Sequence, residues 1–466
     1  MSLKSLFSAK DMAVGSPWKR ILEFSVPMLL GNIAQQLYNT ADSVIVGIYV
    51  GDNALAAVGS ASPILNLLLA LFVGISTGAG IVVSQRFGAK DREGLSKGIG
   101  NCISLTLIAT LFIMVVGPII TRPMLNLLDT PASIIDWCAS YLNIYFLGII
   151  GFFFYNMLSG ILRGLGDSVS ALGFLLLAAA LNVVLDLLFV GGFGMGVPGV
   201  ALATVISQGI SAVFCFIKLM RMGAHFDLNR ASVKLDKAVA GRIIGIGIPS
   251  GITQAIMSMS MMVVQSLTNS MGEMVIAANV IIMRVDGFAM MPNFSFGQAM
   301  SVYTGQNVGA GKFDRVQKGV RQGCGIAQAF ATAIVAVLLV FGKYLFGIFT
   351  ETTQLIDLAT RMMRIMAFGY IAMSITQVLG GVMRGCGNTV TPMWISIFTT
   401  VIVRVPIAYA FAYFTRSAEF PHGHPFSLSI SLLVSWTLGM IISAIAFRWG
   451  KTRRLIREEM ARQGQL

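Results

Sequence analysis

Residues 160–168 read GILRGLGDS, and residues 381–389 read GVMRGCGNT, 221 positions later. Two further pairs of segments have the same spacing; they are SQRFGAK (84–90) with GQNVGAG (305–311), and ALAAV (54–58) with VIAAN (275–279). One offset shared by three pairs indicates an internal duplication. The chain is therefore predicted to consist of two homologous halves.

The composition indicates a membrane protein. Of the 466 residues, 56% are hydrophobic and only 11% are charged. Soluble domains carry about 25% charged residues, and about 20 consecutive apolar residues can cross a bilayer as a helix. Such segments recur along the whole sequence, which predicts an all-α polytopic protein. Twelve transmembrane helices are expected, at 20–50, 54–84, 95–118, 133–161, 168–191, 197–221, 239–270, 275–305, 316–342, 354–383, 390–414 and 427–449.

Each half contains six predicted helices, an even number, so both halves have the same orientation and form parallel repeats. Four regions are predicted: an N-terminal six-helix lobe with a cation site (1–221), a cytoplasmic linker (222–238), a C-terminal six-helix lobe (239–449) and a basic cytoplasmic tail (450–466). Two similar bundles can enclose a central cavity, which favours a transporter. A static scaffold or a duplicated enzyme is the alternative. No enzyme is expected, because the sequence shows no cytoplasmic domain and no catalytic cluster. The GxGxxG match within 192–199 has no preceding strand and is interpreted as a turn.

The basic residues predict the orientation of the chain. Lys and Arg are concentrated at the two ends and in alternate loops, and the opposite loops hold few of them. Basic loops stay on the cytoplasmic side, so both termini are predicted to be cytoplasmic in a multi-pass protein of the cell membrane. Membrane topology also accounts for the net charge of +13. No nucleic-acid partner is therefore expected, and the protein is predicted to be a monomer in the lipid bilayer.

Charged residues within the apolar segments are candidates for function, because a charge in hydrocarbon is costly. Asp42 lies in YNTADSVIVG (38–47), well inside the first predicted helix. Counting about 1.5 Å per helical residue brings it to a depth similar to those of Asn182, Asp186 and Thr204. Two carboxylates, an amide and a hydroxyl form a plausible site for a proton or a small hard cation such as Na⁺. A buried hydrogen-bond network that only holds helices together is the alternative.

The duplication offers a comparison for this site. The residues 221 positions after Asp42, Asn182 and Asp186 are neither acids nor amides; they are Val263, Val403 and Ile407. The second half instead has charged residues at other points of its spans; they are Arg284, Asp286 and Arg404. A purely structural network would have no need to be confined to one half. The asymmetry therefore favours an ion-coupling site, with no other metal and no cofactor expected.

The sequence resembles the multidrug and toxic compound extrusion (MATE) transporters over essentially its whole length. The similarity lies in the LRGLGD and MRGCGN segments, in SVPMLLGNIAQQLYNTADSVIVG of the first helix, and in LNVVLDLLFV followed by GVPGVALAT. The family implies a V-shaped pair of six-helix bundles around a central cavity. It also implies export of organic cations or amphipathic drugs in exchange for H⁺ or Na⁺. The acids that the NorM-like branch uses in helices seven and ten are absent from the interiors of those helices here.

The resemblance to the DNA-damage-inducible F (DinF) branch assigns roles to particular residues. Its cation site matches Asp42, Asn182, Asp186 and Thr204. Its accessory positions match Tyr38, Tyr141 and Asn156. Pro27 resembles the proline at which the first helix bends in that branch, although a proline near a helix start is an equally good explanation.

A substrate cavity is expected to be lined by adaptable methionines. Its candidate residues are Met257, Met261, Met283, Met290 and Arg284. Methionines that face lipid or the helix core are the alternative. Two other functions remain open at this point, a lipid-linked or polysaccharide flippase of the same superfamily and a membrane scaffold that transports nothing.

Overall fold

The computed structural model describes residues 10–127 and 130–463. The helices of the first half are α1 (Pro17–Tyr49), α2 (Asp52–Gly88), α3 (Arg92–Leu127), α4 (Ile135–Leu147), α5 (Ile149–Gly164), α6 (Ser168–Asp186), α7 (Gly196–Met220) and the short α8 (Arg230–Val233). Those of the second half are α9 (Lys237–Ser270), α10 (Glu273–Gly309), α11 (Phe313–Gly347), α12 (Thr353–Gly385), α13 (Val390–Ile397), α14 (Val405–Phe414), α15 (Phe426–Trp449) and α16 (Lys451–Arg462).

Most membrane spans agree with the predicted segments, but the single helix predicted at 133–161 is divided into α4 and α5 at Gly148. Ten helical spans in the described residues are long and apolar enough to cross a membrane, and α4 with α5, which meet at 54°, form an eleventh if counted together. Helix α1 is not among them, because polar residues such as Gln35 and Gln36 lower its hydropathy. Its 33 residues nevertheless exceed the length that a span requires. The all-helical membrane fold predicted from the sequence is confirmed.

The described chain divides into two compact units. The first comprises residues 10–11 and 26–251, and the second comprises residues 12–25 and 252–463. Helices α1 and α9 each contribute to both units. Each carries an internal proline near the division, Pro27 in α1 and Pro249 in α9.

The repeated nine-residue segment begins with two glycines at a spacing of four, and these glycines permit close helix packing. In the first unit, Gly160 and Gly164 of α5 contact α2. A Cβ added at Gly160 would lie 2.7 Å from the hydroxyl oxygen of Ser76, and one at Gly164 would lie 2.6 Å from the carbonyl oxygen of Gly80. Small residues at this spacing are typical of close helix pairs in membranes.

The second unit repeats this contact 221 residues later. Gly381 and Gly385 of α12 pack on α10, where a Cβ at Gly385 would lie 2.5 Å from the carbonyl oxygen of Ser301. A Cβ at Gly381 would collide with the carbonyl oxygen of Gly297. Gly297 and Ser301 are the counterparts of Ser76 and Gly80 at the same offset. The duplication therefore preserves both partners of the contact.

The next part of the segment ends a helix. Gly166 and Gly387 have φ angles of 85° and 86°, in the left-handed region that favours glycine. Their amides donate to the carbonyl oxygens of Arg163 (2.9 Å) and Arg384 (2.8 Å). These bonds satisfy carbonyl groups that the helix end would otherwise leave without a partner.

The last part of the segment begins the following helix. Asp167 accepts hydrogen bonds from the backbone amide of Ser170 at 2.9 Å and from its hydroxyl at 2.7 Å. Asn388 likewise accepts from the amide of Thr391 at 3.2 Å. Asp167 is thus the N-cap of α6, whereas Asn388 lies one residue before the N-cap of α13 and bonds to the first turn of that helix. The whole segment is thus a close-packed turn between two spans.

Two spans are interrupted by π-helical stretches. Leu187–Gly192 follows α6 directly after Asp186, and Phe398–Arg404 separates α13 from α14. A π stretch contains about one more residue than an α-helical turn of the same path, and such stretches are often found at functional sites. The first stretch begins directly after the acid Asp186, and the second ends at the base Arg404.

Candidate functional site

The acidic cluster of the first unit is formed by three helices. Asp42 lies on α1, Asn182 and Asp186 lie one turn apart on α6, and Thr204 lies on α7. Asn182 and Asp186 have no exposed surface, and Thr204 is 7% exposed. Depth counting along the sequence predicted that these four side chains would lie at similar depth. The fold brings α6 and α7 into direct contact beside them.

Direct contacts join the members of the cluster. The carboxyl groups of Asp42 and Asp186 are neighbours within electrostatic range of each other. The amide nitrogen of Asn182 donates to the hydroxyl oxygen of Thr204 at 3.4 Å. The Thr204 hydroxyl in turn donates to the carbonyl oxygen of Val200 at 3.1 Å. The phenol of Tyr38 is also within hydrogen-bonding reach of Thr204.

Several oxygen atoms of the cluster are buried without a hydrogen-bond partner among the described residues. They are Oδ1 of Asp42, Oδ1 of Asn182 and both carboxylate oxygens of Asp186. Leaving such atoms unpaired away from water is costly, the more so for a charged group. Their donor set is entirely oxygen, which suits a proton or a hard cation such as Na⁺. Within the described ranges, no group of three or more His, Cys, Asp or Glu residues could hold a metal ion.

The accessory residues fall into two groups. Tyr141 is buried on α4 and lies within electrostatic range of Asp42 and Asp186. Asn156, on α5, donates its side-chain amide to the carbonyl oxygen of Phe152 in its own helix at 2.9 Å. Tyr145 was not predicted, yet it is buried within electrostatic range of Asp42, with its ring centroid 6.2 Å from that of Tyr141. Its place one turn after Tyr141 was the signal in the sequence.

Pro27 lies inside α1, close to the point at which that helix passes from the second unit into the first. A proline within a helix removes one backbone hydrogen bond and crowds the preceding turn. Pro27 therefore favours a bend of α1 at this position.

The predicted methionines lie in the second unit. Met257, Met261, Met283 and Met290 line a cavity of about 260 Å³ between α9, α10, α12, α15 and the second π stretch. Arg284 is exposed and is not among the lining residues of that cavity. Asp286 and Arg404 do line it.

Comparison with known proteins identifies the class to which this fold and site belong. The family model MatE matches residues 27–188 and 249–410. The chain is 30% identical over 429 residues to the probable multidrug resistance protein YoeA of Bacillus subtilis, covering 90% of this chain and 92% of that protein. It is 24% identical over 463 residues to the probable multidrug resistance protein NorM of Thermotoga maritima, covering 96% of each.

Solved structures agree with these relatives. A structure described as MATE in the bent conformation superposes with a TM-score of 0.88 at 24% identity and covers 100% of both chains. One described as MATE in the straight conformation superposes with a TM-score of 0.87 at 25% identity, covering 97% of this chain and 100% of that one. The fold is that of a multi-span membrane transporter and not of an enzyme. The chain belongs to the MatE family of multidrug efflux transporters, and the resemblance seen in the sequence is confirmed.

Proposed function

We propose that this protein is a secondary active antiporter of the DinF-like type. It exports organic cations or amphipathic drugs by alternating access, in exchange for H⁺ or Na⁺ bound by Asp42, Asn182, Asp186 and Thr204. It acts in the cell membrane as a monomer with both termini in the cytoplasm, and Tyr38, Tyr141 and Asn156 support the ion site. Its proposed regions are an N-terminal lobe (1–221), a cytoplasmic linker (222–238), a C-terminal lobe (239–449) and a basic cytoplasmic tail (450–466).

The observation that supports this proposal is the pair formed by Asp42 and Asp186. Two neighbouring carboxylates, of which Asp186 is fully buried, repel each other if both are ionised. A proton or a Na⁺ ion removes that repulsion and occupies the unpartnered oxygens. The pair is expected to bind and release its ion as a unit.

Ion binding can drive export only if it favours one conformation over another, because a ligand shifts an equilibrium through its differential affinity for the two states. In the proposed cycle, an ion entering from outside binds between the two carboxylates and removes their repulsion, and α1 repacks, with Pro27 allowing the bend. The drug is released outward in that state. Loss of the ion to the cytoplasm restores the charged pair and the state that accepts new drug.

The test is ethidium transport by the purified protein in liposomes, with a proton gradient and a sodium gradient imposed separately. We expect one gradient to drive export by the wild type. Asp42→Asn and Asp186→Asn should reduce gradient-driven flux to the level of protein-free liposomes. Asp136→Asn is the matched control, because Asp136 is an exposed acid of the same half that pairs with Arg122 at 2.7 Å.

Thermal unfolding of the same variants distinguishes coupling from a structural network. Asparagine at either site position removes the repulsion between the two charges, so the unfolding midpoint should be unchanged or higher while flux is lost. Unaltered ethidium export by Asp42→Asn would contradict the proposal. A flippase would instead translocate lipid-linked substrates across the bilayer and would show no ion-coupled ethidium flux.

A further inference from the structure

The cavity of the second unit combines an apolar wall with a small polar group. Its apolar lining includes Met257, Met261, Met290, Phe294 and Trp436. Methionine side chains adapt to ligands of different shape, and aromatic rings offer flat contact surfaces. The volume of about 260 Å³ suits a compact ring system.

The charged lining residues are Asp286 and Arg404, and Tyr370 contacts Asp286. The phenol of Tyr370 donates to Oδ1 of Asp286 at 2.7 Å. Arg404 attracts Asp286 electrostatically, and both residues line the cavity. The Nε atom of Arg404 is buried and has no hydrogen-bond partner within the described part of the chain. The acid therefore accepts a hydrogen bond from Tyr370 and lies within electrostatic range of Arg404, whose Nε donor is unused.

The backbone holds Arg404 in this position. Arg404 ends the π stretch, whose carbonyl groups bond to neighbouring helices. The hydroxyl of Ser260 donates to the carbonyl oxygen of Thr400 at 3.0 Å, and that of Ser435 donates to the carbonyl oxygen of Thr399 at 2.9 Å. An anchored stretch of irregular helix is a feature common at binding sites.

The repeat relates this cavity to the acidic cluster. The family model matches residues 27–188 and 249–410, so the ends of the two matched halves are 222 and not 221 residues apart. Arg404 then corresponds to Asn182. The Asp186 counterpart becomes Ala408, which is no more ionisable than Ile407. In the first half this position is Asn182, an amide beside two carboxylates. In the second half it is Arg404, a guanidinium.

We propose that this cavity binds the exported compound, and that Arg404 selects amphipathic zwitterions with a carboxylate next to an apolar ring system. The inference rests on the proposed export function for its biological meaning. Arg404 lines the cavity, where a carboxylate can accept from its guanidinium, and charge-assisted hydrogen bonds are the stronger kind. A permanent cation without such an acceptor gains nothing from Arg404. The methionine side chains pack against the apolar rings of the ligand.

Equilibrium binding to the purified, full-length protein tests the proposal. The probes are norfloxacin, which carries a carboxylate, and its methyl ester, which has the same rings without that charge. We expect the wild type to bind norfloxacin about tenfold more tightly than the ester, as one hydrogen bond to a charged group implies. Arg404→Met should bind both compounds with the affinity of the ester. Arg404→Lys should keep part of the preference.

Arg364→Met is the matched control, because Arg364 is an exposed arginine on α12 outside the cavity lining. It should bind norfloxacin as the wild type does. An ester that binds the wild type as tightly as the acid overturns the proposal without any variant. Equal norfloxacin affinity in the wild type and Arg404→Met also overturns it. The binding measurement needs no ion gradient. Its outcome is therefore independent of whether Asp42→Asn abolishes ion-coupled transport.

Discussion

Gly166 and Gly387 lie 221 residues apart and have φ angles within one degree of each other, 85° and 86°. Each is the residue at which a span ends before the chain turns into the next one. Because a side chain is disfavoured in this conformation, the two halves need glycine here for the same reason. The relationship shows that the duplication has been retained at the level of backbone angles.

Gly387→Ala should lower the free energy of unfolding by about 1–2 kcal/mol, the cost of a left-handed conformation for a residue with a Cβ. Gly325→Ala is the control, since a Cβ there would meet nothing within 4 Å and Gly325 lies inside helix α11. The unfolding midpoint in detergent measures both. Equal midpoints would contradict the assignment of Gly387 as a required left-handed residue.

Gly381→Ala tests the close approach of α12 to α10. Its Cβ would collide with the carbonyl oxygen of Gly297, and overpacking of this kind costs about 1–3 kcal/mol. Gly98→Ala is a buried control with open space for the added methyl group. We expect a lower unfolding midpoint for the first variant only. A midpoint for Gly381→Ala that matches the control would show that the helices separate at little cost.

Asp167→Ala removes the N-cap of α6 and should cost about 1 kcal/mol. Asp167→Asn retains an oxygen for the amide of Ser170, as Asn388 does for Thr391 in the second half. The asparagine variant should therefore lose less stability than the alanine variant. Unfolding midpoints in that order support the capping role, and identical losses would assign the effect to the charge alone.

The loop between α7 and α8 provides a pH-dependent contact outside the membrane. Arg92 donates from Nε and Nη2 to the carboxylate of Asp227 at 2.7 and 2.8 Å, and this hydrogen bonding lowers the pKa of Asp227. A lowered folded-state pKa gives stability that is present above the unfolded pKa and lost as the pH falls through the folded value. The contact is exposed, so the effect should be small.

Hydrogen exchange of residues 221–229 at neutral and acidic pH measures this contact. Protection in the wild type should fall as the pH drops below the ordinary range of an aspartate. Asp227→Asn should lack that change while keeping the bonds from Arg92 to the carbonyl groups of Gly223 and Ala224. The same pH response in wild type and variant would contradict the prediction.

The sequence predicted the spans because apolar length and the internal repeat are properties of composition and order. It did not predict helix α16 in the basic tail. That segment is strongly charged, but its Ile456 and Met460 side chains are buried, and Gln463 beyond it bonds to the carbonyl of Gly311. The π stretches were missed as well, because a change in backbone hydrogen-bond register leaves no clear pattern in residue type.

For the candidate ion site, the sequence predicted only that its residues lie at a similar depth in the membrane. Counting along helices brought Asp42, Asp186 and Thr204 together, but it could not say which side chains touch. Tyr145 was missed because an aromatic residue in an apolar span has many explanations. The electrostatic pairing of Asp286 with Arg404 had no support from spacing, since it depends on how α10 and the second π stretch pack.

The caps at the two turns differ in charge, and the difference has a local cause. Asp167 lies 3.6 Å from the ammonium group of Lys218, whereas Asn388 donates its side-chain amide to the hydroxyl oxygen of Thr452 at 3.2 Å. If the two nine-residue segments were exchanged, both turns would keep their geometry. The acid, however, would then lie at position 388 without that lysine. The turns are interchangeable as shapes but not as charges, so a hybrid of the two halves would need Lys218 to be transferred together with its segment.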